Sequence, residues 1–463
     1  MSEEMKTLRK QLLRDSRSGY DVLEEAQLRQ MEDYCADYKA FLGNKTERLS
    51  ARAAIAAAKA HGFVEYRRGM ALEAGDKVYT CNRGKGLMLA VMGRESMAEG
   101  VQIAAAHIDS PRLDLKPNPL YEDSELAYFK THYYGGIRKY QWVTIPLQLQ
   151  GVVVKKDGTA VEVCIGEKGE PQLVITDLLP HLGGEQGKKP LSEAIPAETL
   201  NILLGSRPIG DEDDSDRVKL HVMKRLYDKY GITEADFASA ELEAVPAADA
   251  VDIGIDGSMI GSYGHDDRVC GYAALRALLE LDAPAKTAVC VLADKEEIGS
   301  MGVTGMQSAV FETFLSDLCD SQNVPLKVCF ENSFCLSADV TAAYDPNFAD
   351  VFDKKNAAFL NHGVGLCKYT GARGKSGSSD AGAETVAYVR SLLDGAGVRW
   401  QICELGKVDA GGGGTVAQYM ANRNIATLDA GVPVLSMHAP FEVVAKLDCY
   451  EMYRACKAVY EAH

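Results

Sequence analysis

Residues 101–117 read VQIAAAHIDSPRLDLKP, and the first half of this stretch predicts a strand of a buried sheet. A nearly continuous run of apolar and small residues is typical of a strand that is covered on both faces in an α/β sheet. The run ends at His107, and Asp109 follows two residues later. Side chains two apart on an extended chain point to the same side, so Asp109 can approach the imidazole of His107. A carboxylate in that position typically orients a histidine that binds a metal.

Strand-like and helix-like segments alternate on both sides of this stretch. Residues 1–62 have helical patterns, and short apolar stretches bounded by glycine follow from about 77 to 106. From residue 265 onward, buried strands such as TAVCVLA (287–293) again alternate with helices. This alternation predicts an α/β fold with a large catalytic domain, in which helices flank a central mixed β-sheet.

The middle of the chain has a different character. Segments such as LQLQGVVV (147–154) and VEVCIG (161–166) alternate as strands of an antiparallel sheet do. The acidic run DEDDSD (211–216) that comes later is more typical of a solvated loop than of a site. We therefore expect an inserted β-rich domain at residues 145–255, inside a catalytic domain formed by residues 1–144 and 256–463.

The composition limits the class of protein. Of 463 residues, 46% are apolar and 25% are charged, which is the mix of a soluble globular enzyme. The formal charge of -16 argues against nucleic acid or an anionic membrane as the main partner, because phosphate binding needs clustered Lys and Arg. No apolar run approaches the roughly 20 residues that span a bilayer. The first residues lack the apolar core of a secretory signal, and none of the twelve cysteines forms a CxxC pair, so we expect a cytoplasmic protein with reduced thiols.

Two adjacent carboxylates, Glu296 and Glu297, follow the apolar strand at 287–293. At a buried strand end they repel each other and lose hydration, which is costly without a cation. A metal resolves the conflict if one glutamate binds it and the other takes a proton from the water that the metal activates. The alternative is a solvated turn, because Asp294 and Lys295 precede the pair.

Three further segments offer metal ligands. YGHDDRVCGY places Asp266 and Asp267 just before a helix, where either carboxylate can cap the helix or bridge two cations. CLSADVTAAYDPNF delivers Asp339 at another strand end, and DAGVPVLSMHAPFE delivers His438. Two histidines and several carboxylates form a donor set that suits zinc, and also cobalt or manganese.

The order of these motifs resembles the aspartyl-aminopeptidase family of metallopeptidases along nearly the whole chain. The matching motifs are HxDSPRLxxKP, DDR before a helix, EExGS, SADxxxAxxPN and LSMHxPxE near the C-terminus. The resemblance implies a metal-dependent aminopeptidase with two zinc ions per subunit, which removes N-terminal residues from peptides by means of a metal-activated water.

The resemblance also implies a ligand set. His107 and Asp339 would hold one metal, Glu297 and His438 would hold the other, and Asp266 would bridge the two.

The same resemblance implies catalytic roles next to the metals. Glu296 would be the general base, and Asp109 would orient His107. Relatives usually have Leu-Asp-Asn where this chain has His-Asp-Asp, so Asp267 stays open as an alternative to Asp266 for the bridging position.

Self-association is implied as well. Members of the family commonly form a homododecamer built from dimers, with an inserted dimerisation domain that fits residues 145–255. His181 in ITDLLPHL matches a histidine that reaches the active site of a neighbouring subunit in relatives. The alternative is that His181 is a loop residue of its own domain.

The chain departs from its relatives around the expected substrate site. Lys368 in GLCKYTGARGKSGSSDAG matches a lysine with which many relatives bind an acidic side chain, but the rest of the stretch does not match. Acidic and neutral N-terminal residues therefore both stay open as the preferred substrate.

Two other functions compete with the aminopeptidase. A related di-metal deacylase or carboxypeptidase would need a site for a free carboxylate. A non-catalytic cage or cargo protein of the same fold would have no use for Glu296 beside the metals.

Overall fold

The computed structural model describes residues 2–15 and 17–463, and its helices and strands alternate as the sequence predicts. Within these residues the α-helices are α1 (Glu3–Leu12), α2 (Glu25–Phe41), α3 (Glu47–Ala60), α4 (Leu191–Ala194), α5 (Arg217–Tyr230), α6 (His265–Leu279), α7 (Val310–Asp320), α8 (Leu326–Glu331), α9 (Ala383–Gly395), α10 (Ala417–Ala421) and α11 (Lys446–Tyr460). The strands are β1 (Val64–Glu65), β2 (Lys77–Asn82), β3 (Gly86–Val91), β4 (Val101–His107), β5 (Arg112–Asp123), β6 (Leu126–Tyr134), β7 (Leu147–Val154), β8 (Ala160–Ile165), β9 (Ile202–Gly205), β10 (Ala240–Pro246), β11 (Val251–Ile253), β12 (Met259–Ser262), β13 (Thr287–Ala293), β14 (Phe334–Ala338), β15 (Thr341–Ala342), β16 (Val364–Cys367), β17 (Trp400–Ile402), β18 (Ala426–Gly431), β19 (Pro433–Leu435) and β20 (Glu442–Ala445).

A nine-stranded mixed sheet forms the centre of the molecule, in the order β1-β2-β3-β13-β4-β14-β18-β16-β17. Its four middle strands, β13, β4, β14 and β18, run parallel to one another. Strands β13, β4 and β14 are buried along their whole length. Because parallel strands end at the same edge of a sheet, the segments that follow these strands lie side by side.

Helices cover both faces of this sheet, as the near-continuous apolar strands require. Along β4, Ala104 and Ala106 face a core that includes α2, α3, α6 and α11, whereas Ile103 and Ala105 face a second core with α7 and α8. The predicted α/β class, with a mixed sheet flanked by helices, is confirmed.

A six-stranded antiparallel sheet lies beside the central one, in the order β8-β7-β10-β5-β6-β9. Two of its strands, β5 and β6, precede the predicted boundary at residue 145. Their side chains Leu113 and Phe129 share a core with Leu149 of β7. The boundary therefore does not coincide with the edge of this sheet. The sequence pattern did not reveal that β5 belongs to this sheet, because Pro117 and Pro119 interrupt the alternation in β5, where the pairing register shifts.

A third sheet of five strands, in the order β11-β12-β20-β19-β15, lies next to the start of α6. In this sheet Ser262 of β12 pairs with Glu442 of β20, which brings the segment before α6 alongside the loop that joins β19 to β20. No helix in the described ranges has the length and apolar character needed to cross a membrane.

Candidate metal centre

Three of the candidate segments follow neighbouring parallel strands. His107 is the last residue of β4 and pairs with Ala293, the last residue of β13, so the Glu296–Glu297 turn emerges beside it. Asp339 directly follows β14 on the other side of β4. The carboxyl edge of the central sheet thus collects an imidazole and three carboxylates, as the strand patterns predicted.

The other two candidate ligands come from the region of the five-stranded sheet. Asp266 lies at the start of α6, but its backbone angles are extended (φ -78°, ψ 107°) and not helical. His438 lies in the loop between β19 and β20, with a positive φ of 65°. Helix capping does not account for Asp266, because its carboxylate faces two imidazoles.

The carboxylate of Asp266 lies between the two histidines. Its Oδ1 is 3.2 Å from Nε2 of His107, and its Oδ2 is 3.1 Å from Nε2 of His438. One carboxylate oxygen of Asp266 therefore faces each imidazole.

The remaining carboxylates complete two groups around these imidazoles. Glu297 Oε2 lies 3.6 Å from Nε2 of His438. Asp339 Oδ1 and Glu296 Oε2 each lie 3.9 Å from Nε2 of His107.

Asp109 supports this centre in more ways than the sequence predicted. Its backbone carbonyl is 2.9 Å from Nδ1 of His107, and its Oδ1 is 3.3 Å from the same nitrogen. Its carboxylate also accepts the backbone N–H groups of Glu296 (3.1 Å) and Glu297 (3.2 Å) and the O–H of Tyr134 (2.8 Å). Asp109 therefore fixes the His107 ring and the glutamate turn together.

The arrangement of charge fits a bound cation. The side chains of Asp266, Glu297 and Asp339 are 4%, 3% and 11% exposed, and within residues 2–15 and 17–463 no Lys or Arg lies within ion-pair distance of them. Oε1 of Glu297 is buried without a hydrogen-bond partner. Burial raises the pKa of Glu297 and of Asp339 well above the ordinary range. Buried carboxylates in such numbers need a cation to remain ionised, so the residues present fit a metal.

Asp267 occupies a different position from Asp266. Its Oδ2 accepts the backbone N–H of His107 at 3.3 Å, and its Oδ1 is buried without a hydrogen-bond partner. A ligand atom of Asp267 lies within 4.8 Å of ligand atoms of His107 and Asp339. It adjoins the His107 side of the centre but has no ion-pair contact with His438 in the described chain.

Two predicted substrate residues lie outside this cluster. His181 is exposed in a loop after β8, and Lys368 is exposed directly after β16. Within the described chain, neither forms a hydrogen bond or an ion pair with the candidate ligands. Their predicted roles stay predictions.

Sequence reasoning missed two residues that hold the centre. Tyr134 precedes the Gly135–Gly136 pair, and this pair is the sequence signal for a turn, which in the structure lies close to Glu297 and His438. The carbonyl of Gly136 lies 2.9 Å from Nδ1 of His438. Glu442 ends the LSMHAPFE motif, and that position was its signal.

Two imidazoles and a group of buried carboxylates that meet beside the carboxyl edge of an α/β sheet indicate the class of metal-dependent hydrolases. The family model described as Aminopeptidase I zinc metalloprotease (M18) matches residues 43–460, and the chain belongs to this family. The predicted resemblance and the assignment as a zinc aminopeptidase are thereby confirmed.

Similarity to individual relatives supports the membership of the chain in the M18 family. The probable M18 family aminopeptidase 1 of Clostridium acetobutylicum is 48% identical over 450 residues, which cover 95% of this chain and 97% of the relative. The crystal structure of the M18 aminopeptidase from Thermotoga maritima is 42% identical, with a TM-score of 0.93, and covers 97% of this chain and 99% of that chain. The S. cerevisiae mApe1 dodecamer shares the fold at 22% identity and a TM-score of 0.76, over 93% of this chain and 99% of that chain.

Proposed function

We propose that this zinc aminopeptidase holds two ions per subunit at the edge of the central sheet. His107 and Asp339 would hold one ion, Glu297 and His438 would hold the other, and Asp266 would contact both. The observation that carries the proposal is the placement of one Asp266 oxygen beside each imidazole, at 3.2 and 3.1 Å. Cobalt or manganese would suit the same mixed nitrogen and oxygen donors.

The residues of the chain would prepare the reaction around these ions. When bound, zinc supplies Lewis acidity that lowers the pKa of water and polarises the scissile carbonyl. Glu296 would accept the proton from the attacking water and pass it to the leaving amine. Its carboxylate is 17% exposed and lies 3.9 Å from the His107 ring, so it borders the centre while remaining open to a substrate. Asp109 would hold the His107 ring and the Glu296–Glu297 turn in fixed positions relative to each other.

The family match favours an aminopeptidase over a carboxypeptidase or a deacylase acting on N-acyl amino acids. The net charge of the centre does not decide between them, because two Zn²⁺ ions would offset the four carboxylates of Asp266, Glu296, Glu297 and Asp339.

Metal analysis and a substrate pair test the proposal. Purified protein should contain two zinc ions per subunit, and His107→Ala and His438→Ala should each lose mainly one of them. The wild type should cleave aminoacyl-nitroanilides and leave N-acyl amino acids intact. A single ion per subunit with full activity would refute the assignment, and cleavage of N-acyl amino acids alone would refute the substrate class.

We further propose that the chain assembles into a homododecamer built from dimers. The dodecamer of the yeast protein with the same fold supports this, and residues 145–255 would contribute the dimer contact. Leu178, Leu179 and Leu182 are 52%, 49% and 68% exposed beside His181, which favours a protein surface over that loop. Light scattering should give the mass of twelve subunits, and His181→Ala should lower activity without changing zinc content if His181 reaches a neighbouring active site.

A cytoplasmic location is part of the same proposal. All twelve cysteines are thiols in the structure, which is the state expected in a reducing compartment.

A further inference from the structure

Glu442 contacts the backbone of two proposed ligands at once. Its Oε2 accepts the N–H of Asp266 at 3.1 Å, and its Oε1 accepts the N–H of His438 at 2.7 Å. The side chain is buried, with 1% exposure. Both carboxylate oxygens are thus used on backbone groups, and Glu442 lies outside the two groups of side chains whose ligand atoms converge.

The two ligands that Glu442 joins come from separate parts of the chain. Asp266 is 176 residues from Glu442 and follows β12, whereas His438 precedes β20 by four residues. Register within the five-stranded sheet sets Ser262 opposite Glu442, so β12 and β20 deliver the two segments side by side. The carboxylate of Glu442 then joins the backbones of Asp266 and His438.

Such a link matters because Asp266 departs from helical backbone angles at the start of α6 and His438 lies in a loop with a positive φ. His438 has a φ of 65°, in the left-handed region that an L-residue with a side chain rarely adopts without local support. Asp266 has extended angles at the first turn of α6, where no intrahelical partner exists for its N–H. A buried acceptor for both N–H groups stabilises these two conformations together.

Other side chains hold only the Asp266 segment. Arg268 donates to the carbonyls of Gly264 (3.0 Å) and Tyr263 (2.9 Å). The ring of His265 lies between the O–H of Tyr38 (2.7 Å) and the carbonyl of Ile260 (3.1 Å). These contacts fix the Asp266 segment to α2 and β12, whereas Glu442 joins the Asp266 segment to the loop that carries His438.

We propose that Glu442 is a positioning residue for the zinc ion that Asp266 and His438 share, and that it acts by setting the spacing of these two ligands. The inference rests on the proposed two-zinc centre. Glu442→Gln retains one acceptor and turns an amide N–H₂ towards the second N–H, so one of the two links is lost. Glu442→Ala loses both.

A matched control is available in the same part of the chain. Asp448 is also fully buried, and its carboxylate accepts two backbone N–H groups, from Asn361 at 2.8 Å and Gly363 at 2.7 Å. Neither partner is a proposed ligand. Asp448→Asn therefore removes the same kind of interaction without touching the metal centre.

The test is zinc affinity, measured by chelator competition on the folded apo-protein, with circular dichroism to verify folding. We expect Glu442→Gln to lower the affinity for one of the two zinc ions by about tenfold or more, and Glu442→Ala to lower that affinity further. Asp448→Asn should bind both ions like the wild type. The effects of Glu442→Gln and His438→Ala should not add in the double variant, because both act on the same ion.

Two results would overturn the inference: both zinc affinities unchanged in Glu442→Gln and Glu442→Ala, or an equal loss of affinity in Asp448→Asn. The wild type and His438→Ala, titrated in parallel, report on the two-zinc centre itself. If the wild type binds two ions and His438→Ala loses one, a failure of the Glu442 variants concerns Glu442 alone.

Discussion

Tyr134 donates the hydrogen bond of its phenolic O–H to the carboxylate of Asp109 at 2.8 Å, and this contact ties the six-stranded sheet to the metal centre. The guanidinium of Arg112 packs on the face of the Tyr134 ring, with its Cζ 3.8 Å from the ring centroid. Asp109 in turn accepts from the turn that carries Glu296 and Glu297. A substitution in β6 should therefore change metal binding although it removes no ligand.

Tyr134→Phe removes the O–H and keeps the ring on which Arg112 packs. The Asp109 carboxylate loses one of its donors, which should destabilise the fold by about 1–3 kcal/mol and lower zinc affinity or activity by about tenfold or more. Zinc competition and urea denaturation measure the two effects. Tyr133→Phe is the matched control, because Tyr133 is 42% exposed on the same strand. Equal behaviour of the two variants would contradict the role of Tyr134.

Glu296→Gln separates the proposed proton acceptor from the ligands. The amide has nearly the same shape but cannot take a proton from water, so kcat should fall on the order of 10²–10⁴-fold while both zinc ions remain bound. Glu297→Gln should instead reduce zinc content, since Glu297 lies 3.6 Å from the imidazole of His438. Elemental analysis beside nitroanilide kinetics distinguishes the two variants. If Glu296→Gln lost zinc and regained activity on reconstitution, the two roles would be assigned wrongly.

Asp266→Asn and Asp267→Asn should differ, although the two residues are neighbours. Asp266 presents one oxygen to each imidazole, so Asp266→Asn should lower the affinity for both zinc ions. Asp267 accepts the backbone N–H of His107 and adjoins only that side, so Asp267→Asn should spare the ion beside His438. Zinc stoichiometry during stepwise chelation measures this. The reverse pattern would make Asp267 the bridging residue.

The strand ends of the central sheet were predictable because their signal is local. Fully buried parallel strands have continuous apolar runs, and the polar residues that follow such runs must meet at one sheet edge. His107, Glu296, Glu297 and Asp339 were found by this reasoning, and they do converge.

Contacts between distant segments were not predictable in the same way. The link from Glu442 to Asp266 spans 176 residues and depends on strand pairing that no local pattern encodes. The choice between Asp266 and Asp267 depends on backbone angles, because the side chains are identical. Strands β5 and β6 were separated from their sheet because proline obscured the alternation of β5.

Lys368→Met tests how the enzyme selects the N-terminal residue. Lys368 is exposed directly after β16, and the loop that follows it lacks the family pattern for an acidic side chain. We expect leucyl-nitroanilide to be cleaved at least as fast as glutamyl-nitroanilide by the wild type, and Lys368→Met to slow only the glutamyl substrate. Lys375→Met is the control, because Lys375 lies in the same loop but pairs with Asp380 at 3.0 Å. A strong wild-type preference for the glutamyl substrate would contradict the expectation.

Removal of zinc should lower the stability of the whole catalytic domain. Without a cation, the buried carboxylates of Glu297 and Asp339 either protonate or remain charged without a partner, as their raised pKa values indicate. A ligand that binds only the native state adds about 4 kcal/mol at a concentration of 1,000 times its Kd. Dialysis against a chelator should therefore lower the Tm, and added zinc should restore it. His438→Ala should show a smaller increment on zinc addition than the wild type, because one of its ions has lost a ligand. An unchanged Tm in protein shown to be free of zinc would mean that the carboxylates are stabilised by some other partner.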